Sequence, residues 1–297
     1  MSQVERNITN MSLPSFCWPK KAKLAVSLVV NIEEGAEEMV ADGDRAPDPV
    51  DELQVVMSKG RNLGNESNYQ YGINAGAQRV LTLLEKHQAK ATFTAAALAL
   101  ERAPQLAQLI VNQGHEICAH GYRWAHQHWM KEDKEREFIR MATGSIEKTT
   151  GTRPTGWLSR YVLTENTRRI LTEEGYKYHM DDYSDDIPKW DTINNKSIII
   201  SPYALDTNDM KMWLAPSYTP SQWEKYLIDT FDQLYAECLQ TPNKIMSVGV
   251  HLRIVGRPGR IKAFENFIAY AANHQGTWFA TRNEIADSYA SQVPSPS

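Results

Sequence analysis

The sequence predicts an α/β barrel in a single domain, on three observations. Strand-length apolar and β-branched runs alternate with longer amphipathic stretches, the pattern of a largely parallel sheet covered by helices. Seven or eight such strand–helix pairs fit into the 297 residues, a count that suits a closed barrel better than an open sheet. Hydrophobic residues make up 42% of the chain, enough to bury a core of that size.

The first strand falls at 23–32, a near-continuous apolar run of the kind found where both faces are buried. A polar segment at 35–68 follows, too long for a simple connection; a lid, a subunit contact or part of the site all fit it. Regular alternation then gives a helix at 69–87, a strand at 89–95, a helix at 103–113 stopped by Gly114, and a strand at 115–120. A charged helix at 131–149 leads through a turn at 151–154 to a short strand near 156–159 and a helix at 165–174 ended by Gly175. Later strands are expected at 177–181, 197–201, 245–251 and 277–281, with helices at 220–239 and 258–274. Residues 1–20 read as an N-terminal arm, 21–290 as the barrel with 35–68 as an insertion, and 291–297 as a Ser/Pro tail.

Composition narrows the partners. With 32 Lys+Arg against 36 Asp+Glu there is no basic stripe to neutralise phosphates, so nucleic acid is not expected. The longest apolar runs are strand-sized, far below the roughly 20 residues that span a bilayer, so no membrane partner is expected. The first eleven residues lack the apolar stretch of a signal peptide, which predicts a cytoplasmic protein. Cys17, Cys118 and Cys238 are odd in number and widely spaced, as expected of free thiols.

In a parallel barrel, chemistry collects where the C-terminal ends of the strands converge. Here those ends carry Asn31, Glu33 and Glu34; His120 and Trp124; Trp157 and Arg160; Asp181, Asp182 and Tyr183; and His251. Each alone has an ordinary structural reading: a rim histidine, a solvated acidic pair, a surface ion pair for an arginine, core packing for an aromatic ring. Together at one end of successive strands they point to a site.

These motifs, in their order, resemble the polysaccharide deacetylase superfamily, carbohydrate esterase family 4, whose fold is a distorted (β/α)7 barrel. Asn31-Ile-Glu33-Glu34-Gly35 lies over that family's Thr-Phe-Asp-Asp-Gly motif. Gly114-His-Glu-Ile-Cys-Ala-His120 supplies the first histidine of its His-x-x-x-His motif, with Trp124 in the second histidine's place. Arg153-Pro-Thr-Gly156-Trp157 and Met246-Ser-Val-Gly-Val-His251 match its later motifs. The Glu-Glu pair, His120-Gly-Tyr-Arg-Trp124, the run from Asp181 to Trp190, the run from Leu205 to Met210, and His251-Leu-Arg-Ile-Val-Gly-Arg-Pro-Gly-Arg260 are similar to a narrower branch, the cofactor-independent allantoinases and cyclic imide hydrolases.

The resemblance implies a hydrolase that opens the C–N amide bond of a small cyclic amide, such as allantoin or a related hydantoin or cyclic imide. Glu33 stands where the family has its catalytic base. Glu34 and His120 would position water or substrate, and His251, with a pKa naturally near neutral, is the candidate general acid. Asn31, Asp181 and Asp182 would read the edge of the ring, Arg160 would clamp a carbonyl or ureide, and Trp124, Trp157, Tyr183 and Trp190 would frame it. No cofactor is expected, because Trp124 cannot coordinate and Glu34 with His120 would leave an ion one ligand short of a catalytic zinc site. His126 and His128 either supply a replacement ligand for Zn2+ or begin the polar connection to the next helix. The alternative activity is metal-dependent N-deacetylation of a polysaccharide or chito-oligosaccharide. A homotetramer is expected from the resemblance alone, with the arm and the 35–68 segment as candidate contacts.

Overall fold

Residues 24–32 carry no charged side chain and form β1 (Leu24–Ile32), each one of them buried. The computed structural model describes residues 16–49, 55–240 and 243–296; most of the expected N-terminal arm lies outside them. The other strands are β2 (Ala91–Ala95), β3 (Glu116–Ala119), β4 (Gly156–Trp157), β5 (Tyr178–His179), β6 (Lys189–Ile193), β7 (Lys196–Ile200), β8 (Lys244–His251) and β9 (Thr277–Phe279). They form one sheet in the order β6-β7-β5-β4-β3-β2-β1-β8, with β9 added alongside β1. Every pairing is parallel except the β6–β7 hairpin. That hairpin turns at Asn194 and Asn195, whose φ angles of 51° and 60° suit the tight turn that twisted strands prefer.

The outer face is covered by α1 (Leu63–Tyr71), α2 (Ala77–Lys86), α3 (Ala97–Arg102), α4 (Pro104–Asn112), α5 (Glu132–Thr150), α6 (Thr167–Glu173), α7 (Pro220–Cys238), α8 (Leu252–Val255) and α9 (Pro258–Ala272), while α10 (Arg282–Ala290) packs against the opposite face. A π-helical turn, Gly72–Gly76, joins α1 to α2. The expected helix at 69–87 therefore begins earlier and carries a bulge. Four elements were not expected: β6, α3, α8 and α10. The last had a visible signal, a capping box in which Thr281 and Glu284 satisfy each other's backbone N–H groups.

Strand alternation decides what each side chain sees. Along β1, Leu24, Val26, Leu28, Val30 and Ile32 pack outward in the main core beneath the helices. Ala25 and Val29 join a second core inside the curl, with Phe16, Trp18, Tyr178, Met180 and Tyr289. On β8, Met246, Val248 and Val250 belong to the outer core. The intervening Ser247, Gly249 and His251 therefore face inward.

The distortion of the barrel is a seam. The ladder starts at β6 and ends at β8, and across the gap the contacts come from side chains and loops. Ile245 donates its N–H to the Asp186 carbonyl (2.8 Å), and the Thr207 hydroxyl donates to the Ser247 carbonyl (2.5 Å). Arg282, fully buried, donates to the carbonyls of Ser201 (3.0 Å) and Pro202 (2.6 Å) on one side and to the Ser247 hydroxyl (2.5 Å) on the other. Among the described residues no helix is long and apolar enough to cross a membrane.

Candidate active site

The inward positions at the top of β1, β3 and β8 deliver Asn31, Glu33, His120 and His251 to one cavity of about 270 Å³. Asn31 sits opposite Thr94 on β2 and opposite His251 on β8. Its amide accepts from the Thr94 hydroxyl (2.7 Å) and donates to the Val250 carbonyl (3.1 Å), which fixes it at the floor.

Glu33 is the centre of the arrangement. Its Oε1 lies 3.6 Å from His120 Nε2 and 3.5 Å from His251 Nε2, and its Oε2 forms an ion pair with Arg253 at 2.7 Å. All four side chains are at least 95% buried. Burial would raise the Glu33 carboxyl, but Arg253, His251 and the hydrogen bonds of the two histidines hold it well below the ordinary carboxylate range. Glu33 is therefore ionised at neutral pH.

The two histidines are held at Nδ1 by different acceptors. His120 Nδ1 lies 2.6 Å from the Leu158 carbonyl, which can only accept, so Nδ1 carries a proton and Nε2 faces Glu33. His251 Nδ1 is 2.7 Å from Asp209, whose carboxylate also accepts from the backbone N–H groups of His251 (2.8 Å) and Val255 (3.1 Å). Burial opposes charge on His251, yet Glu33 and Asp209 together lift it to about 10. His251 is an imidazolium with its Nε2–H toward the cavity.

Two residues central to this geometry, Asp209 and Arg253, were not among the expected site residues. Both lie inside motifs that carried the resemblance, but spacing alone assigns them no partner. Arg253 stacks on Tyr69, its guanidinium 4.2 Å from the ring centre. Tyr203 and Asn208 also line the cavity and were not expected there.

Other expected site residues fall elsewhere. Glu34 has the opposite strand parity to Glu33 and turns to the outer face. Its oxygens accept from the N–H groups of Glu33 (3.0 Å) and Arg253 (3.1 Å), and its carboxylate is seated against Gly72. It anchors α8 and lines no part of the cavity. Trp157 points outward for the same reason and is fully buried in the main core. Trp190 packs on Tyr289 and donates to the Val293 carbonyl, away from the site. Asp181 accepts from the Ser159 N–H (2.8 Å) and hydroxyl (3.0 Å), and burial pushes its carboxyl up to about 6; it braces the loop rather than the ligand. Asp182 is engaged outside the cavity by Ser184 and Lys189.

Trp124, Arg160 and Tyr183 do line the cavity. Arg160 stacks on Trp124 at 3.7 Å, but its hydrogen-bonding fork is taken by Asp48 (2.7 Å) and the Trp124 carbonyl (2.8 Å). It builds a wall instead of clamping a ligand. Asp48 comes from the 35–68 segment, whose described residues are also tied to Arg102 and Arg123. Of the three roles that suited this segment, Asp48 gives it a part in the site.

The residues present do not fit a metal ion. Both Glu34 oxygens are engaged by backbone N–H groups, the indole of Trp124 offers no lone pair, and Glu33 already faces a guanidinium and an imidazolium. Among the described residues no group of three His, Cys, Asp or Glu side chains is arranged to hold one. His126 and His128 lie against each other beside Tyr161 and Trp129 and do not line the cavity.

Comparison with known proteins agrees with the fold and the motifs. The family model described as Polysaccharide deacetylase matches residues 67–179. The "Putative polysaccharide deacetylase" of Schizosaccharomyces pombe is 31% identical over 300 residues, covering 93% of each chain. The solved structure of PuuE allantoinase superposes with a TM-score of 0.92 at 38% identity, covering 96% of both chains. A structure described as a probable polysaccharide deacetylase from Pseudomonas aeruginosa PAO1 gives 0.89 at 39% identity, covering 94% of this chain and 95% of that one. With this identity across nearly the whole length, the chain belongs to the polysaccharide deacetylase family of hydrolases.

Proposed function

We propose that this protein hydrolyses the C–N amide bond of a small cyclic amide, with allantoin or a related hydantoin or cyclic imide as substrate, and that it does so without a metal ion. The observation that carries the reading is Glu33 Oε1, an ionised oxygen lying between His120 and the His251 imidazolium. The likeness to PuuE allantoinase supports the substrate class. So does size: about 270 Å³ sits just under the roughly 300–1,000 Å³ of drug-sized ligand pockets and suits a single small ring.

In this reading a water held at Glu33 and His120 attacks the amide carbon and gives a proton to Glu33 as its C–O bond forms. The carbonyl oxygen takes the electron pair, in the field of Arg253 and His251. As the C–N bond breaks, its electron pair stays on nitrogen, which takes the proton from His251 Nε2. Glu33 then returns its proton to His251 across the 3.5 Å between them, and the resting charges are restored. Glu33 is a weak base while two cations face it; it holds its proton more firmly once His251 has discharged. The product is an open chain with an N–H and a carboxylic acid, which ionises to a carboxylate by losing its proton to solvent at neutral pH.

The test is a panel of allantoin, hydantoin, dihydrouracil, succinimide and an N-acetylglucosamine oligomer, with and without chelator. Turnover of a cyclic amide is expected, unchanged by chelator and reduced roughly 10²- to 10⁴-fold by Glu33→Gln. Deacetylation of the oligomer with no ring opening overturns the substrate class. Activity abolished by chelator and restored by Zn2+ overturns the metal-free chemistry.

A further inference from the structure

Three of the charged groups that line the cavity have an opposite charge in place: Glu33 has Arg253, Arg160 has Asp48, and His251 has Asp209. Lys211 lines the same cavity, and among the described residues no ion pair engages its ammonium. Its backbone is fixed, the N–H donating to the Asn208 carbonyl (3.1 Å) and the carbonyl accepting from the Tyr218 N–H (2.8 Å). It lies in the turn Asp209–Met212, two residues after the carboxylate that holds His251. Its neighbours on the cavity wall include Leu205, Met210 and Leu214. Lys211 also borders an adjoining cavity at the seam, where Asp185, Asp186 and Asp206 are the carboxylates. Asp206 accepts from the Tyr226 hydroxyl (2.8 Å), and Asp186 is 3.8 Å from Lys244.

We propose that Lys211 is a carboxylate-recognition residue, placed to take the acid group that opening the ring sets free. The inference rests on the ring-opening reading above, because that reaction creates an anion beside an ionised glutamate. Such a product is repelled by Glu33 unless a cation without a partner is at hand. A lysine serves this purpose well, being a compact charge on a flexible stem that can follow the acyl carbon as the ring uncoils. Apolar neighbours strengthen the attraction by lowering the local dielectric.

The test uses binding, so that it stands apart from turnover. Calorimetry compares the open-chain acid N-carbamoylglycine with its primary amide, in the wild type and in Lys211→Gln. The preference of the wild type for the acid is expected to fall roughly 10- to 100-fold in the variant and to be largely kept in Lys211→Arg. A preference that is equal in wild type and Lys211→Gln overturns the proposal, as does a wild type that binds neither compound. A second pair, hydantoin-5-acetic acid and 5-methylhydantoin, separates a carboxylate borne by the ring from one set free. Loss of discrimination in that pair alone also overturns the product-side assignment. Failure of the cyclic-amide reading would show instead as no turnover in the substrate panel, whatever the calorimetry gives.

Discussion

His251 keeps its charge because carboxylates face it from two sides, Asp209 at Nδ1 and Glu33 at Nε2. Its value of about 10 lies above the ordinary one, so the imidazolium stabilises the fold fully below about pH 6.5. That contribution is lost as pH rises toward 10. Glu33 behaves in the opposite sense: its lowered carboxyl contributes above the ordinary carboxylate range and loses that contribution as pH falls through its folded value. The alkaline limb of the rate profile should therefore lie near pH 10 in the wild type. Asp209 touches no substrate, but it fixes the tautomer and charge of the acid. Asp209→Asn is expected to move the alkaline limb down by more than one pH unit and to lower kcat at neutral pH roughly 10²-fold or more. A pH–rate series on both proteins checks this, and coincident limbs would remove Asp209 from the mechanism.

At the scale of elements, the site depends on how closely α8 approaches the π turn. A Cβ on Gly76 would collide with the Leu252 carbonyl, and one on Gly256 with the same oxygen and with Gly76 itself. α8 carries Arg253 directly after Leu252, and Glu34 accepts from its first turn. Gly76→Ala is therefore expected to cost roughly 1–3 kcal/mol in denaturant unfolding and to lower kcat more than it raises KM, since Arg253 is displaced from Glu33. A variant with wild-type kcat and reduced stability would show that the packing matters only to the fold. Strand parity separates Glu33 and His251, which reach the cavity, from Glu34 and Trp157, which do not. Motif matching alone grouped Glu33 with Glu34 because the two are adjacent. Neighbours in a motif face opposite sides of a sheet. What no local pattern reveals is the pairing of Asp209 with His251 or of Arg253 with Glu33, 42 and 220 positions apart in the chain.

At the scale of the whole molecule, the alternation of strands and helices gave away the eight parallel strands, while the seam depends on contacts that no periodicity encodes. Its central bridge is Arg282, fully buried at the start of an unexpected helix. The guanidinium spans the end of β7 and the middle of β8, and burial lowers its pKa to about 10, still high enough to keep it charged at neutral pH. The chain that follows Ser201 and Pro202 supplies Tyr203, Asn208 and Asp209, so the seam and the site share one segment. Arg282→Met removes every donor at once. The carbonyls of Ser201 and Pro202 and the Ser247 hydroxyl are left in a dry interior, at a cost of at least about 3 kcal/mol. Arg282→Lys keeps the charge but lacks the planar fork, so it reaches fewer of these acceptors. Thermal unfolding should rank the wild type above the lysine variant and the lysine variant above the methionine one. Activity should fall in the same order, because a slack seam releases the segment that holds the acid. A methionine variant as stable as the wild type would show that the barrel closes without this bridge, and that the alignment of His251 is set by β8 alone.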